Sequence, residues 1–162
     1  MSQLTRQLKR QLDKKSSVEK LLTLNQHKIR LGLSKINKVI KKLKIIQKPD
    51  VKYLTVNGTS AKNSIIQIFK SILIQHRQSY AATYSPHLVS ITERFEHNQK
   101  FIKLNKLKKI LTRVAKYKNL THFEKLVVAF GIFIKNLKLD WVIGEYGLFG
   151  RLDGIRALFN KP

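Results

Sequence analysis

The sequence predicts an α/β fold in which a parallel sheet is flanked by helices. Three short β-branched or aromatic-rich runs, 51–56, 79–84 and 139–146, are candidate strands. Between them lie longer segments with apolar residues at helical spacing. Alternation of that kind, strand then helix then strand, is the pattern of parallel sheets joined by helical crossovers.

The elements follow in chain order. Residues 1–17 form a basic N-terminal tail or helix, and 18–162 read as one domain. Ser16 and Ser17 are candidate N-caps for a short helix reaching Leu24, with Glu19 in its first turn. Gly32 marks a break, after which Leu33, Ile36, Val39, Ile40 and Leu43 recur at helical spacing. Pro49 and Asp50 end that pattern, and VKYLTV (51–56) reads as the first strand. A polar turn (57–63) leads into an amphipathic helix from Ser64 to His76. Ile65, Ile68, Phe69, Ile72 and Leu73 are its expected inward face. SYAATY (79–84) is the second strand and 85–98 a loop. A further helix spans 101–117, with Ile102, Leu107, Ile110, Leu111 and Val114 inward. Thr121 and Glu124 have capping-box spacing for a helix to about Leu137, and LDWVIGEY (139–146) is the third strand.

Composition bounds the function. A hydrophobic fraction of 43% suits a globular domain, and no apolar run approaches the ~20 residues of a membrane span. With no cysteine, disulfides and thiolate metal sites are excluded, so a cytoplasmic location is expected. The basic, acid-poor N-terminus also fits an organellar transit segment. Net charge is +24, from 33 basic and 9 acidic residues, which points to an anionic partner. Nucleic acid is one candidate. Against it, lysine far outnumbers arginine, and the basic residues are spread along the chain rather than gathered in one stripe.

In a parallel sheet, ligands bind where strands end and turns feed helices. Three segments fall at that rim. Gly58-Thr59-Ser60-Ala61-Lys62-Asn63-Ser64 lies between a strand and a helix, where a phosphate loop places backbone donors, an ammonium and a cation-binding hydroxyl. Lys62 and Ser64 supply the last two, in a partial P-loop-type sheet; Lys62 reads equally as one surface lysine of many. Tyr84-Ser85-Pro86-His87-Leu88 ends the second strand, and reads also as a proline-stiffened turn. Glu145 ends an otherwise apolar strand, where a carboxylate requires a paired cation or a bound one.

Taken together, these motifs resemble folylpolyglutamate synthases and dihydrofolate synthases, of the Mur-ligase-like group. GTSAKNS (58–64) is similar to the family's GTNGKGS, YSPHL (84–88) with ERF (93–95) to its S-P-H-L and E-R stretch, and EYGLFGRLDG (145–154) to its E-V-G-L-G-G-R-L-D-A. LNQHKIRLGLSKI (24–36) and THFE (121–124) are similar to its opening segment and its LTFFE helix. The resemblance implies the N-terminal part of an ATPase domain and an ATP-dependent ligase that joins glutamate to a folate or dihydropteroate carboxylate. It implies that Gly58, Thr59, Lys62, Asn63 and Ser64 hold ATP, and that Ser64, Ser85 and Glu145 ligate Mg²⁺. Pro86, His87, Glu93 and Arg94 would border the substrate, and no residue acts as a covalent catalyst. Departures are Ser60, Ala61 and Asn63 in the first motif, and Phe149 and Ile155-Arg156 in the third. At 162 residues against a two-domain family of roughly 400, the expectation is a truncated or inactive form that self-associates through an incomplete sheet.

Overall fold

The computed structural model describes residues 32–45, 48–146 and 154–159. The expected tail at 1–17, the short helix to Leu24 and residues 147–153 of the third motif lie outside the described residues.

Helix α1 (Ser34–Lys42) follows Gly32, whose φ of +124° suits only glycine. It buries Ile36 and Ile40, two residues of the predicted stripe. Strand β1 (Lys52–Val56) leads through the 57–61 turn into α2 (Lys62–Gln75), and β2 (Tyr80–Thr83) follows. Helices α3 (Leu104–Ala115) and α4 (His122–Ile134) precede β5 (Trp141–Glu145), and α5 spans Gly154–Phe159. β1 and β2 both pair in parallel with β5, which lies between them. The three predicted strands therefore form the parallel part of the sheet.

The predicted loop at 85–98 contains more structure than expected. Ser90 caps a 3-10 turn (Ile91–Arg94) in a capping box with Glu93. A hairpin of β3 (Glu96–His97) and β4 (Lys100–Phe101) then adds antiparallel strands beside β2, giving the order β1-β5-β2-β3-β4. Its turn residues Asn98 and Gln99 have φ of +44° and +64°, the signs a tight two-residue hairpin needs. Strands of two residues carry too little periodicity to be seen in sequence.

Two cores face opposite sides of the sheet, as strand alternation requires. On one side Ala81 and Val142 meet α1, α3, α4 and α5, with Phe95, Phe130 and Phe133 in mutual ring contact. Helix α4 is buried along nearly its whole length, and Thr121 with Glu124 forms the expected capping box. On the other side, among the described residues, α2 covers Val56, Tyr80, Ala82, Tyr84 and Ile143.

Of the inward face assigned to α2, the structure bears out Phe69 and Leu73 and corrects Ile65, Ile68 and Ile72. Ile66, Lys70 and Leu73 are buried, whereas Ile65, Ile68 and Ile72 are 51%, 62% and 46% exposed. This helix is apolar on more than one side, so hydrophobic spacing alone does not choose its roll.

Candidate functional site

β1, β5 and β2 end together because they are parallel and in register, with Val56 opposite Glu145 and Gly144 opposite Thr83. The chain leaves β1, turns through Gly58, and enters α2 at Lys62. Ala61, the residue before the helix, sits at φ +60° and ψ +5°. That left-handed geometry is cheap for glycine and costs an L-residue about 1–2 kcal/mol. The site motif's departure at Ala61 thus falls on the strained position. Asn63 lies within the helix and accepts from the Gln67 side chain at 3.1 Å, so it makes no left-handed turn.

At this rim the Lys62 ammonium lies 3.5 Å from the Glu145 carboxylate and donates to the Gly58 carbonyl at 2.7 Å. Glu145 is buried, and its other oxygen accepts from the Ser85 backbone N–H at 2.8 Å. Arg94 adds a second cation whose field acts on Glu145; burial holds its pKa below the ordinary guanidinium value, opposed by that carboxylate. Arg94 Nε donates to His87 Nδ1 at 3.0 Å.

No side chain caps the first turn of α2, and that turn carries no acid. Its backbone N–H groups beside Lys62 are the donor set an oxyanion takes at a helix N-terminus. Glu145 can give a hard cation one carboxylate oxygen. Among the described residues no three His, Asp or Glu side chains gather into a self-sufficient metal centre, so a cation here draws its other ligands from hydroxyls, water and phosphate.

The structure brings together Gly58, Lys62, Ser85, Glu145 and Arg94, with His87 held by Arg94. Thr59 is an exposed turn residue, and Ser64 is exposed in the first turn of α2. Ser85–Pro86 is a cis peptide bond at the start of the following loop. Glu93 is turned onto that loop: its carboxylate accepts from the backbone N–H of Leu88, Val89 and Ser90 at 2.8, 2.9 and 2.6 Å. Those bonds, first the one from Leu88, hold its carboxyl below the usual carboxylate range. The sequence reading missed Phe123, which lines a small pocket with Ser85, Arg94, Phe95, Glu145 and Ile155. It missed also the buried ion pair of Lys70 with Glu96 at 2.7 Å. With nine acids in the chain, a carboxylate at Glu96 between aromatic residues was a signal that could have been read.

No family model matches the chain. It is 31% identical over 135 residues to a dihydrofolate synthetase of Saccharomyces cerevisiae, covering 80% of this chain and 31% of that protein. It is 32% identical over 135 residues to a dihydrofolate synthase/folylpolyglutamate synthase of Haemophilus influenzae, covering 77% of this chain and 29% of that one. Escherichia coli FolC solved with DHPP and ADP superposes with a TM-score of 0.79 at 29% identity, over 88% of this chain and 35% of that chain. A bifunctional folylpolyglutamate synthase/dihydrofolate synthase solved with Mn, AMPPNP and L-glutamate gives 0.74 at 29% identity, over 81% and 33%. The chain spans about a third of the length of the curated relatives it matches.

Proposed function

From a chain similar in sequence and fold to the dihydrofolate synthase/folylpolyglutamate synthases, we propose that residues 18–162 form a nucleotide-binding domain whose rim takes the phosphates of ATP with a divalent cation. The observation that carries this is the Lys62–Glu145 pair, 3.5 Å apart at the uncapped N-terminus of α2. An ammonium and backbone donors suit the phosphate oxygens, and a buried carboxylate suits Mg²⁺. Structures of similar proteins hold ADP, or AMPPNP with Mn.

The wider activity proposed is ATP-dependent addition of glutamate to a folate or pteroate carboxylate, in a cytoplasmic protein. In that reaction the terminal phosphoryl group of ATP would pass to the carboxylate to give an acyl phosphate and ADP, and attack by the glutamate amine would form the amide and expel phosphate. This chain's share is positioning and charge. Lys62 and the first turn of α2 would hold phosphate oxygens, while Glu145, tied to the Ser85 N–H, would orient the cation together with the hydroxyls of Ser85 and of Ser64 in that first turn. Arg94, which lines the small pocket with Phe123, and His87, which accepts from Arg94, would border the acceptor. Phosphoryl transfer gains most from such fixed cations and donors, and needs no covalent nucleophile. Among the described residues no helix is long and apolar enough to cross a membrane.

Parallel titrations of labelled ATP with Mg²⁺ and of labelled DNA, at low and near-physiological salt, test the reading. Weak, Mg²⁺-dependent ATP binding is expected, and Lys62→Ala should weaken it by about 1.5–3 kcal/mol, the range for a hydrogen bond to a charged group. Nanomolar DNA binding at physiological salt with no MgATP signal would replace it with a nucleic-acid function, for which the +24 charge would then be the cause.

A further inference from the structure

Helix α2 has two apolar sides that compete for the sheet. One stripe is Lys62, Ile66, Phe69 and Leu73, which the structure turns inward. The other is Ile65, Ile68 and Ile72, which it leaves exposed. The two stripes differ by one residue, a roll of about 100°. Either stripe would bury isoleucine and other apolar side chains, so packing discriminates weakly between them. Something else has to choose.

The buried polar group on the inward side is Lys70. Its ammonium meets Glu96 of β3 at 2.7 Å and the Gln67 side chain at 2.9 Å, and lies over the rings of Tyr84 and Tyr80 at 5.6 and 5.9 Å. Glu96 is fully committed: it also accepts from the hydroxyls of Tyr80 and Tyr84 at 2.8 and 2.9 Å. Rolled by one residue, α2 would carry Lys70 off this carboxylate and leave Glu96, 2% exposed, without its cation. An uncompensated buried charge is strongly destabilising, whereas an ion pair exchanged for apolar groups is often neutral. The energetic weight of such a pair therefore falls on excluding the wrong arrangement.

We infer that Lys70 and Glu96 are positioning residues that fix the roll of α2, and so hold Lys62 at the end of the sheet. Lys62 stands on the same stripe, two turns and about 12 Å before Lys70 along the axis. In the other roll it would swing away from Glu145 and from the Gly58 carbonyl. The same carboxylate grips the opposite wall of the rim, since Tyr84 directly precedes Ser85, whose N–H binds Glu145. The register is a property of the fold; its consequence for phosphate binding rests on the proposed function.

The chain has no cysteine, so single cysteines report the roll directly. Ile65→Cys and Ile66→Cys are placed separately in the native chain and in a Lys70→Met/Glu96→Gln background, the glutamine keeping an acceptor for both tyrosines. Maleimide labelling is timed in all four. In the native background the 65 thiol should react about 100-fold faster than the 66 thiol, which needs an opening event to be reached. In the paired-variant background that ratio should fall at least about tenfold. Emission from Trp141, against which Phe69 packs edge-on at 5.1 Å, should shift with it, while helical circular dichroism is retained. Lys70→Arg, which keeps the cation, should preserve the native ratio. An unchanged ratio in the paired variant overturns the inference. So does loss of helical signal with both thiols equally reactive, because the pair would then serve stability and not register. MgATP affinity, read alongside, should drop at least about tenfold when the register is lost. If the labelling pattern collapses as expected while the native chain binds no MgATP, the register stands and the nucleotide reading falls.

Discussion

Ala61 concentrates the tension between this chain's sequence and its fold. The turn into α2 needs a residue at φ +60°, and the chain supplies a side chain there. Ala61→Gly relieves that strain but gives the unfolded chain more freedom, and the two effects oppose one another. Because the strained geometry costs more than the entropy gained, the variant should be more stable by about 1 kcal/mol. Urea denaturation with an unchanged m-value would measure it, and a loss of stability would show that the turn is relaxed as it stands. The site residues were legible unevenly. Lys62, Ser85 and Glu145 could be read because each ends or follows a strand and breaks its local pattern. The pairing of Arg94 with His87 could not, since it joins a loop to a 3-10 turn invisible in the sequence. The turning of Glu93 onto the backbone of 88–90 was missed although Ser90 and Glu93 have the same capping-box spacing as Thr121 and Glu124.

At the scale of elements, caps were the readable feature and short strands the unreadable one. Thr121 and Glu124 announced α4 by spacing, and the structure contains both reciprocal bonds, Glu124 N–H to Thr121 Oγ1 at 3.2 Å and Thr121 N–H to Glu124 at 2.7 Å. Thr121→Ala should cost about 1 kcal/mol by thermal or chemical unfolding. The roll of α2 was misread because isoleucines occupy two stripes, and the choice lies in the tertiary contact of Lys70 with Glu96. Two carboxylates accept backbone hydrogen bonds that make stability depend on acid pH. Asp140 accepts from the Ser79 N–H at 2.7 Å and from its hydroxyl at 2.8 Å, joining the starts of β2 and β5. These bonds hold Asp140 below the usual carboxylate range, as backbone donors hold Glu93. For a lowered folded pKa the stabilisation is present above the unfolded value, near 4, and is lost as pH falls through the folded one. Stability should therefore decline below about pH 4, and the decline should be shallower in Asp140→Asn. Equilibrium unfolding at stepped pH would reveal it; parallel slopes for the two proteins would exclude Asp140 as a contributor.

The whole molecule sets a large charge against an uncovered apolar surface. Among the described residues α1, α3, α4 and α5 cover one face of the sheet and α2 the other, with Ile65, Ile68, Ile72 and Ile74 exposed. β1 is an edge strand among the described residues, and edges with a neighbouring apolar patch invite pairing between molecules. The opposing force is the net charge of +24, which repels like copies over a range set by salt. At 0.01 M ionic strength that range is about 30 Å, comparable with the size of the domain, and at 1 M it is about 3 Å. Hydrophobic attraction is not weakened over the same interval, and sulfate strengthens it. Self-association should therefore appear as salt is raised, the reverse of what ion-paired interfaces do. Sedimentation velocity across that salt range is the measurement, with Ile68→Lys as the control, since it places a charge at the most exposed position of the patch. The native chain should move from monomer to larger species while Ile68→Lys stays monomeric. A native chain that remains monomeric in high sulfate would show that the isoleucine face of α2 is too small or too scattered to drive association.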